Sequence, residues 1–139
     1  KYARRQWNLV DNPDLCYHWL GDFDRKMLEV IKSQKNFQAT PVTEIWHDDG
    51  DQVLCFMRGD LVFVFNFSPT RSYTDYGFLV PTGSYDVVLN TDSKDFGGNG
   101  FADDSMTHVT NYDPLYVNDK KEWLKLYIPA RSAVVLKKN

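Results

Sequence analysis

The sequence predicts a mainly β protein, an antiparallel β-sandwich of about eight strands preceded by an N-terminal helical segment. After Asn36, short runs of β-branched and aromatic residues alternate with turn residues and no helical pattern separates them. Before Asn36, apolar residues recur every four positions, which is typical of one face of a helix. With 139 residues, of which 42% are hydrophobic, the chain suffices for one core. Because it begins at Lys1 without Met, we expect a piece of a longer protein.

The helical segment is expected to span residues 1–36. Asn12-Pro13-Asp14 is a start signal, since Asn caps a helix, Pro fits its first position and Asp suits the positive end of its dipole. We therefore predict a helix from about Pro13, which Gly21-Asp22 would leave intact or split in two. Its apolar stripe must pack on a partner, and consists of Leu15, Trp19, Phe23, Met27 and Ile31.

A central hairpin is predicted over residues 53–67, with Arg58-Gly59-Asp60 as its turn. Both arms are apolar at odd and at even positions, so neither face of these strands is expected to meet water. The second face then needs a cover, either another sheet or a neighbouring domain. The predicted core includes the alternating residues Leu54, Phe56, Phe63, Phe65, Leu124, Leu126 and Val134.

Shorter strands complete the predicted sandwich. One strand over residues 42–46 leads into the hairpin, and Pro81-Thr82-Gly83 is predicted to turn a second hairpin between strands 76–80 and 85–89. A polar, Gly-rich loop follows over residues 90–104. The remaining strands are predicted at 107–110, 123–128 and 133–136.

Charge and cysteine usage exclude several classes of partner. The net charge is −3, and no basic block is longer than pairs such as Lys120-Lys121 and Lys137-Lys138, so neither nucleic acid nor an anionic membrane is an expected partner. No apolar run approaches the roughly 18 residues of a membrane span. Cys16 falls in the helical segment and Cys55 in a core strand, which favours reduced thiols in a cytoplasmic protein.

Catalytic and metal-binding patterns are not found in the sequence. It has no nucleophile elbow, Walker loop, dinucleotide fingerprint or His-Glu-x-x-His pattern. His18, His47 and His108 lack partners at ligand spacing, so no metal site is expected. Asp48-Asp49 is better explained by a hairpin turn, and Asp103-Asp104 by a solvated loop, than by a pair of catalytic carboxylates.

Aromatic residues are the remaining candidates for recognition. Four Trp and eight Tyr exceed what a small core must hold, and sugar rings stack on flat aromatic faces. For any single aromatic, packing in the core or at a domain interface is the more common role. Trp46 is the best candidate for a glucan contact, because it stands beside a polar turn where the chain leaves the sheet. Tyr76 and Trp123 are the next candidates.

Several motifs at matching spacing closely resemble the C-terminal third of the glycogen (1,4-α-glucan) branching enzymes, in particular their eukaryotic-type branch. The similarity covers nearly the whole chain. It is carried by residues 2–11, 23–27, 58–67, 83–85, 89–92, 96–98 and 129–135.

The resemblance implies a multidomain transferase of the α-amylase clan, in which a (β/α)₈ barrel is followed by a Greek-key-like C-terminal β-sandwich. Residues 1–36 would end the barrel and residues 37–139 would form the sandwich. The parent enzyme would cleave an α-1,4-glucan, hold it as a covalent glycosyl-enzyme and transfer it to a 6-hydroxyl, with retention and without a cofactor. Its catalytic carboxylates would lie upstream, so this chain alone is predicted to be inactive.

The implied partners are the parent's own barrel and glycogen or another α-glucan. Two roles remain open for the chain itself. It is either a structural cap that packs on and stabilises the barrel, or a binding module that holds polysaccharide through surface aromatics. Without the barrel, the stripe from Leu15 to Ile31 is expected to fold back on the sandwich or to drive self-association.

Overall fold

The computed structural model describes residue 4 and residues 6–115 and 120–139. Part of the predicted helical segment, residues 1–3 and 5, therefore lies outside the described residues. Within the described part, nine strands form two antiparallel sheets, with the orders β1-β2-β3-β9-β5-β6 and β4-β8-β7, which confirms the predicted sandwich. The strands are β1 Val42–Asp48, β2 Val53–Arg58, β3 Leu61–Asn66, β4 Tyr73–Phe78, β5 Ser84–Asn90, β6 Thr107–Val109, β7 Asn111–Tyr112, β8 Glu122–Ile128 and β9 Ser132–Lys138.

Two helices precede the sheets, α1 at Trp7–Asp11 and α2 at Tyr17–Lys32. The predicted start at Pro13 is wrong, because the Asn12 side chain accepts a hydrogen bond from the Asp14 N–H at 3.0 Å and closes a turn ahead of α2. Gly21 does not divide α2. A Cβ at Gly21 would lie 2.9 Å from Val10 Cγ1, so this glycine lets α1 approach closely.

Short 3₁₀ turns occur at Phe37–Ala39 and Lys94–Phe96. Neither they nor the two helices of the described residues are long and apolar enough to cross a membrane.

The apolar stripe of α2 packs on the outer face of the six-stranded sheet. Phe23 and Met27 lie against a small cluster of buried sheet residues, Leu61, Leu89 and Val135. Phe23 also meets Phe96 edge to face, with ring centroids 5.3 Å apart. The predicted fold-back is confirmed for these two helix residues. For Trp19 the expected burial is wrong, since it keeps 36% of its surface exposed.

The main core lies between the two sheets, and it uses the opposite face of the central hairpin from the one predicted. Leu124 and Leu126 are buried there as predicted, and Val134 packs against the core. The prediction is wrong for Leu54, Phe56, Phe63 and Phe65, which are half-buried on the outer face. Because both faces are apolar, alternation alone does not decide which one closes. The hairpin residues that fill the core are Val53, Cys55, Val62 and Val64.

The central hairpin itself is confirmed, while the second predicted hairpin is wrong. β2 pairs with β3 through a turn in which Gly59 adopts a φ of 62°. β4 instead pairs with β8 in the three-stranded sheet, whereas β5 pairs with β9 and β6 in the other. The turn at Pro81-Thr82-Gly83 therefore carries the chain from one sheet to the other.

One buried side chain joins the two sheets at the end of β3. Asn66 Nδ2 lies 2.9 Å from the carbonyl oxygen of Arg71, 3.2 Å from that of Ile128 and 3.1 Å from that of Pro129. Its Oδ1 accepts from the Ser68 N–H at 3.0 Å. Asn66 thus connects β3 to the end of β8 through hydrogen bonds of its side-chain amide.

Candidate functional site

The three aromatic residues singled out from the sequence lie together in one cleft. Trp46 of β1, Tyr76 of β4 and Trp123 of β8 line a space of about 420 Å³ together with Ile45, Gly77 and Leu79. We call this the aromatic cleft. The cleft lies between β1, an edge strand of the larger sheet, and the strands β4 and β8 of the smaller sheet.

A chain of hydrogen bonds fixes the indole of Trp46, which is 47% exposed. Trp46 Nε1 donates to the Tyr76 hydroxyl at 3.1 Å, and that hydroxyl donates to Asp51 Oδ2 at 2.9 Å. Burial, reinforced by Asp51, raises the pKa of Tyr76 to about 12, so the hydroxyl stays protonated and keeps donating. The Trp46 ring is therefore held in place before any ligand arrives.

Asp51 is itself anchored by the turn between β1 and β2. Its N–H donates to Asp48 Oδ1 at 2.8 Å, and its carbonyl oxygen accepts from the Tyr73 hydroxyl at 2.8 Å. The carboxylates of this turn thus serve a structural purpose. Sequence reasoning assigned Asp48-Asp49 to a turn but missed that Asp51 supports the aromatic cleft, because the link to Tyr76 spans 25 positions.

Trp123 completes the cleft through its ring surface. A Cβ added to Gly77 would lie 3.6 Å from Trp123 Cε3, so the glycine leaves the ring uncovered on that side. The Trp123 Nε1 is buried and finds no hydrogen-bond partner among the described residues. With the polar atoms of Trp46 and Tyr76 already paired, the cleft offers a ligand apolar ring faces for stacking.

A second surface lies on the outer face of the hairpin and consists of four stacked rings. The centroids of Phe56 and Phe63 are 4.8 Å apart, those of Phe56 and Phe65 5.8 Å, and those of Phe65 and Phe67 5.6 Å. We call these residues the phenylalanine row. Phe67 at its end is 59% exposed. A contiguous apolar surface of this kind is typical of one that another protein surface covers.

The border of the phenylalanine row near the helices is held by Arg58. Its guanidinium lies 4.3 Å from the centroid of the Phe37 ring. It also donates to the carbonyl oxygens of Thr40 and Gln38, at 2.8 Å and 3.0 Å. Arg58 therefore holds in place the segment that connects α2 to β1.

The histidines take no part in either surface. His47 is exposed and contacts Glu44, whose carboxylate raises the pKa of the imidazole. No group of three or more His, Cys, Asp or Glu side chains in the described part of the chain is arranged to hold a metal ion.

Residues 45–139 match the family described as alpha amylase, C-terminal all-beta domain. The chain is 42% identical over 137 residues to the 1,4-alpha-glucan-branching enzyme of Saccharomyces cerevisiae, covering 98% of this chain and 19% of that protein. It is 40% identical over 137 residues to the enzyme of the same name from Candida glabrata, covering 97% and 19%. It is 38% identical over 143 residues to the enzyme of the same name from Dictyostelium discoideum, and this match covers 99% of this chain and 20% of that protein. The chain thus spans about a fifth of the length of these relatives.

Proposed function

Because this chain belongs to the family of alpha-amylase C-terminal all-beta domains, we propose that it is the C-terminal part of a 1,4-alpha-glucan-branching enzyme. The observation that carries the proposal is about 40% identity over nearly the whole chain, including the helices that precede the family match at residue 45. In this proposal residues 1–36 end a catalytic (β/α)₈ barrel and residues 37–139 form the sandwich domain.

The whole enzyme would transfer a segment of α-1,4-glucan to a 6-hydroxyl in the synthesis of glycogen in the cytoplasm. A retaining transfer of this kind uses a carboxylate nucleophile and a carboxylic acid on either side of the glycosidic bond. Both belong to the barrel in our proposal, so this chain contributes no catalytic group. Its own role is to pack on the barrel and stabilise it.

The phenylalanine row is the surface that we assign to this packing. The outer face of the six-stranded sheet is covered at one end by α2, where Phe23 and Met27 meet the sheet. The row continues the same apolar face, and its rings are half-buried except for Phe67, which is exposed. Covering a few hundred Å² of it would contribute several kcal/mol, at about 25 cal/mol per Å². In the isolated chain, the same surface favours self-association.

A chimera tests the proposal. We would replace the matching fifth of the Saccharomyces cerevisiae enzyme with this chain and follow branching by the iodine stain of amylose. The chimera should branch amylose, and the 139-residue chain alone should not. Phe56→Asp with Phe65→Asp should abolish the activity of the chimera or its soluble expression, since two charges would be buried against the barrel. Val109→Asp, at a position 65% exposed on β6, is the matched control.

Two results would overturn these assignments. A folded but inactive chimera, or branching by the chain alone, contradicts the proposed function. A chimera that tolerates both aspartates removes the phenylalanine row from the interface and leaves the enzyme assignment intact.

The aromatic cleft supports a second candidate function, the binding of α-glucan. Its volume of about 420 Å³ lies within the roughly 300–1,000 Å³ of small-molecule sites. Trp46 is both exposed and fixed through Tyr76, which lowers the entropy cost of stacking a sugar ring on it. A long glucan held here would have a raised local concentration at the distant active site.

Gel electrophoresis of the chain through glycogen tests this second function. Glycogen should retard the wild-type chain, and Trp46→Ala should weaken the affinity about 5- to 10-fold, as expected for the loss of one stacked ring. Tyr76→Phe keeps its ring but loses the hydrogen bond to Asp51, so its affinity should fall between that of the wild-type chain and that of Trp46→Ala. Phe67→Ala, another exposed aromatic, should bind normally. Equal retardation of the wild type and Trp46→Ala contradicts the role of the cleft.

A further inference from the structure

A second cavity, of about 250 Å³, lies beneath the loop that follows β5. Among the described residues, it shares no lining residue with the aromatic cleft. Val87 of β5, Leu126 of β8 and Val134 of β9 line its interior, and the loop closes one side. We call it the loop cavity.

Three large apolar side chains around the loop cavity remain exposed. Phe101 is 67% exposed, Met106 58% and Tyr127 39%. Single exposed apolar residues are ordinary, but three that line one cavity form a patch that typically marks a binding site. Phe101 and Tyr127 supply two aromatic rings, the groups on which the apolar face of a sugar stacks.

The backbone that carries Phe101 is fixed by one buried carboxylate. Asp92 Oδ2 accepts from the N–H groups of Phe101 at 2.6 Å and Ala102 at 3.1 Å, while Oδ1 accepts from that of Asn99 at 3.2 Å. A Cβ at Gly98 would lie 2.2 Å from the Asp92 carbonyl oxygen, so only glycine fits there. The exposed Phe101 ring therefore stands on a well-ordered loop, which makes a stacking contact less costly in entropy.

The rim of the loop cavity carries hydrogen-bond acceptors. Asp103 Oδ1 accepts from both the N–H and the hydroxyl of Ser105, at 2.8 Å and 2.6 Å. Asp104 Oδ1 accepts from Asn90 Nδ2 at 2.6 Å. In both side chains these bonds use one oxygen only and leave Oδ2 for a ligand, as far as the described residues show. The aromatic cleft, by contrast, uses the polar atoms of Trp46 and Tyr76 internally.

We propose that the loop cavity is a site for one hexose ring of an α-glucan, whose apolar face stacks on Phe101 and Tyr127 while its hydroxyls donate to Asp103 and Asp104. Its volume, just below the roughly 300 Å³ at which drug-sized sites begin, suits one ring. The choice of an α-glucan rests on the proposed function. The paired rings and carboxylates alone would also attract a small organic cation, which the test below distinguishes.

Chemical-shift mapping on the ¹⁵N-labelled 139-residue chain tests the site with maltotriose as the probe. The amides of Phe101, Asp103 and His108 should shift with increasing maltotriose. Phe101→Ala should raise the dissociation constant at this cavity about 5- to 10-fold, as for one lost stacking contact. Phe67→Ala, which removes a Phe of similar exposure on the phenylalanine row, should leave it unchanged. Asp103→Asn, which keeps an acceptor, should lose less affinity than Asp103→Ala.

Each outcome decides the proposal. Shifts at the loop cavity that Phe101→Ala weakens support it, whether or not the aromatic cleft also responds. Shifts at the aromatic cleft alone overturn it and leave the proposed glucan-binding function standing. No shifts at either place overturn both binding assignments but not the branching-enzyme assignment, which the chimera tests. Tetramethylammonium serves as the probe for a small organic cation. If it shifts the amides at the loop cavity and maltotriose does not, the proposed hexose site is also overturned.

Discussion

The two faces of the central hairpin differ in a way that their composition does not suggest. The inner face carries Val53, Cys55, Val62 and Val64, all at most 3% exposed. On the outer face Leu61 is buried in the cluster against α2, whereas Leu54 and the rings of the phenylalanine row are half-buried or, at Phe67, exposed. The core between the sheets is thus filled by the smaller side chains of the hairpin. The larger rings form a stacked surface on the other side. Side-chain size therefore does not determine which face of the hairpin is buried between the sheets.

The largest difference between the two sides of the hairpin should be seen in the free energy of unfolding. Phe78 of β4 is 1% exposed and lies in the same core cluster as the inner face of the hairpin. Phe78→Ala should cost about 3–5 kcal/mol, because it leaves a cavity in that core. Phe65→Ala on the outer face should cost about 1–2 kcal/mol, since a half-buried ring loses less and leaves no enclosed cavity. Urea unfolding of the isolated chain measures both.

The same pair of variants sharpens the comparison in the chimera. There the barrel covers the phenylalanine row in our proposal, so the cost of Phe65→Ala should rise toward that of Phe78→Ala. Equal costs in the isolated chain would mean that the two faces are energetically alike, contrary to their exposure.

A smaller effect should come from Cys55 on the inner face. Burial raises the pKa of this thiol to about 12 from an ordinary 9.0. The folded state therefore favours the neutral thiol, and the stability it contributes is complete below pH 9 and is lost as the pH rises toward 12. Between pH 8 and pH 10, the Cys16→Ser variant should lose about 1 kcal/mol more than Cys16→Ser with Cys55→Ala.

The double variant is the control for that experiment, because the two proteins differ only at residue 55. Its cavity lowers stability by the same amount at every pH. Parallel stability curves for the two proteins would show that the Cys55 thiol ionises as readily in the folded chain as in the unfolded one.

The smallest effect is expected at the exposed end of the phenylalanine row. Phe67→Ser should change the free energy of unfolding by about 0.5 kcal/mol, the low end of the range for a stacked aromatic pair. Sedimentation equilibrium should nevertheless show weaker self-association of the isolated chain, since the substitution interrupts the exposed apolar surface. Unchanged self-association would place the contact between copies elsewhere.

The sequence predicted local features better than long-range ones. The hairpin over residues 53–67 was predictable because its turn and both arms are contiguous, and the motifs of the resemblance pointed to the family found for residues 45–139. The predicted hairpin at Pro81-Thr82-Gly83 failed because strand runs on both sides of a turn do not reveal that they enter different sheets. The start of α2 failed because Asn12 caps a turn as readily as a helix.

The candidate sites show the same division. Trp46, Tyr76 and Trp123 were each predictable from their type and neighbours, but their meeting in one cleft depends on pairing between β4 and β8. The loop cavity was not predicted. Its residues come from β5, β8, β9 and the loop, and in the sequence Phe101 is indistinguishable from any other loop aromatic.

The side-chain amide of Asn66 affects how the sandwich unfolds. Its contacts with the carbonyl oxygens of Ile128 and Pro129 tie the six-stranded sheet to the end of β8 in the smaller one. If the smaller sheet separated first, Asn66 would be stripped of those acceptors inside a partly closed interior, which is costly. Partial opening of one sheet is therefore penalised, and the sandwich should unfold as a single cooperative unit whose slowest-exchanging amides include those of both β3 and β8.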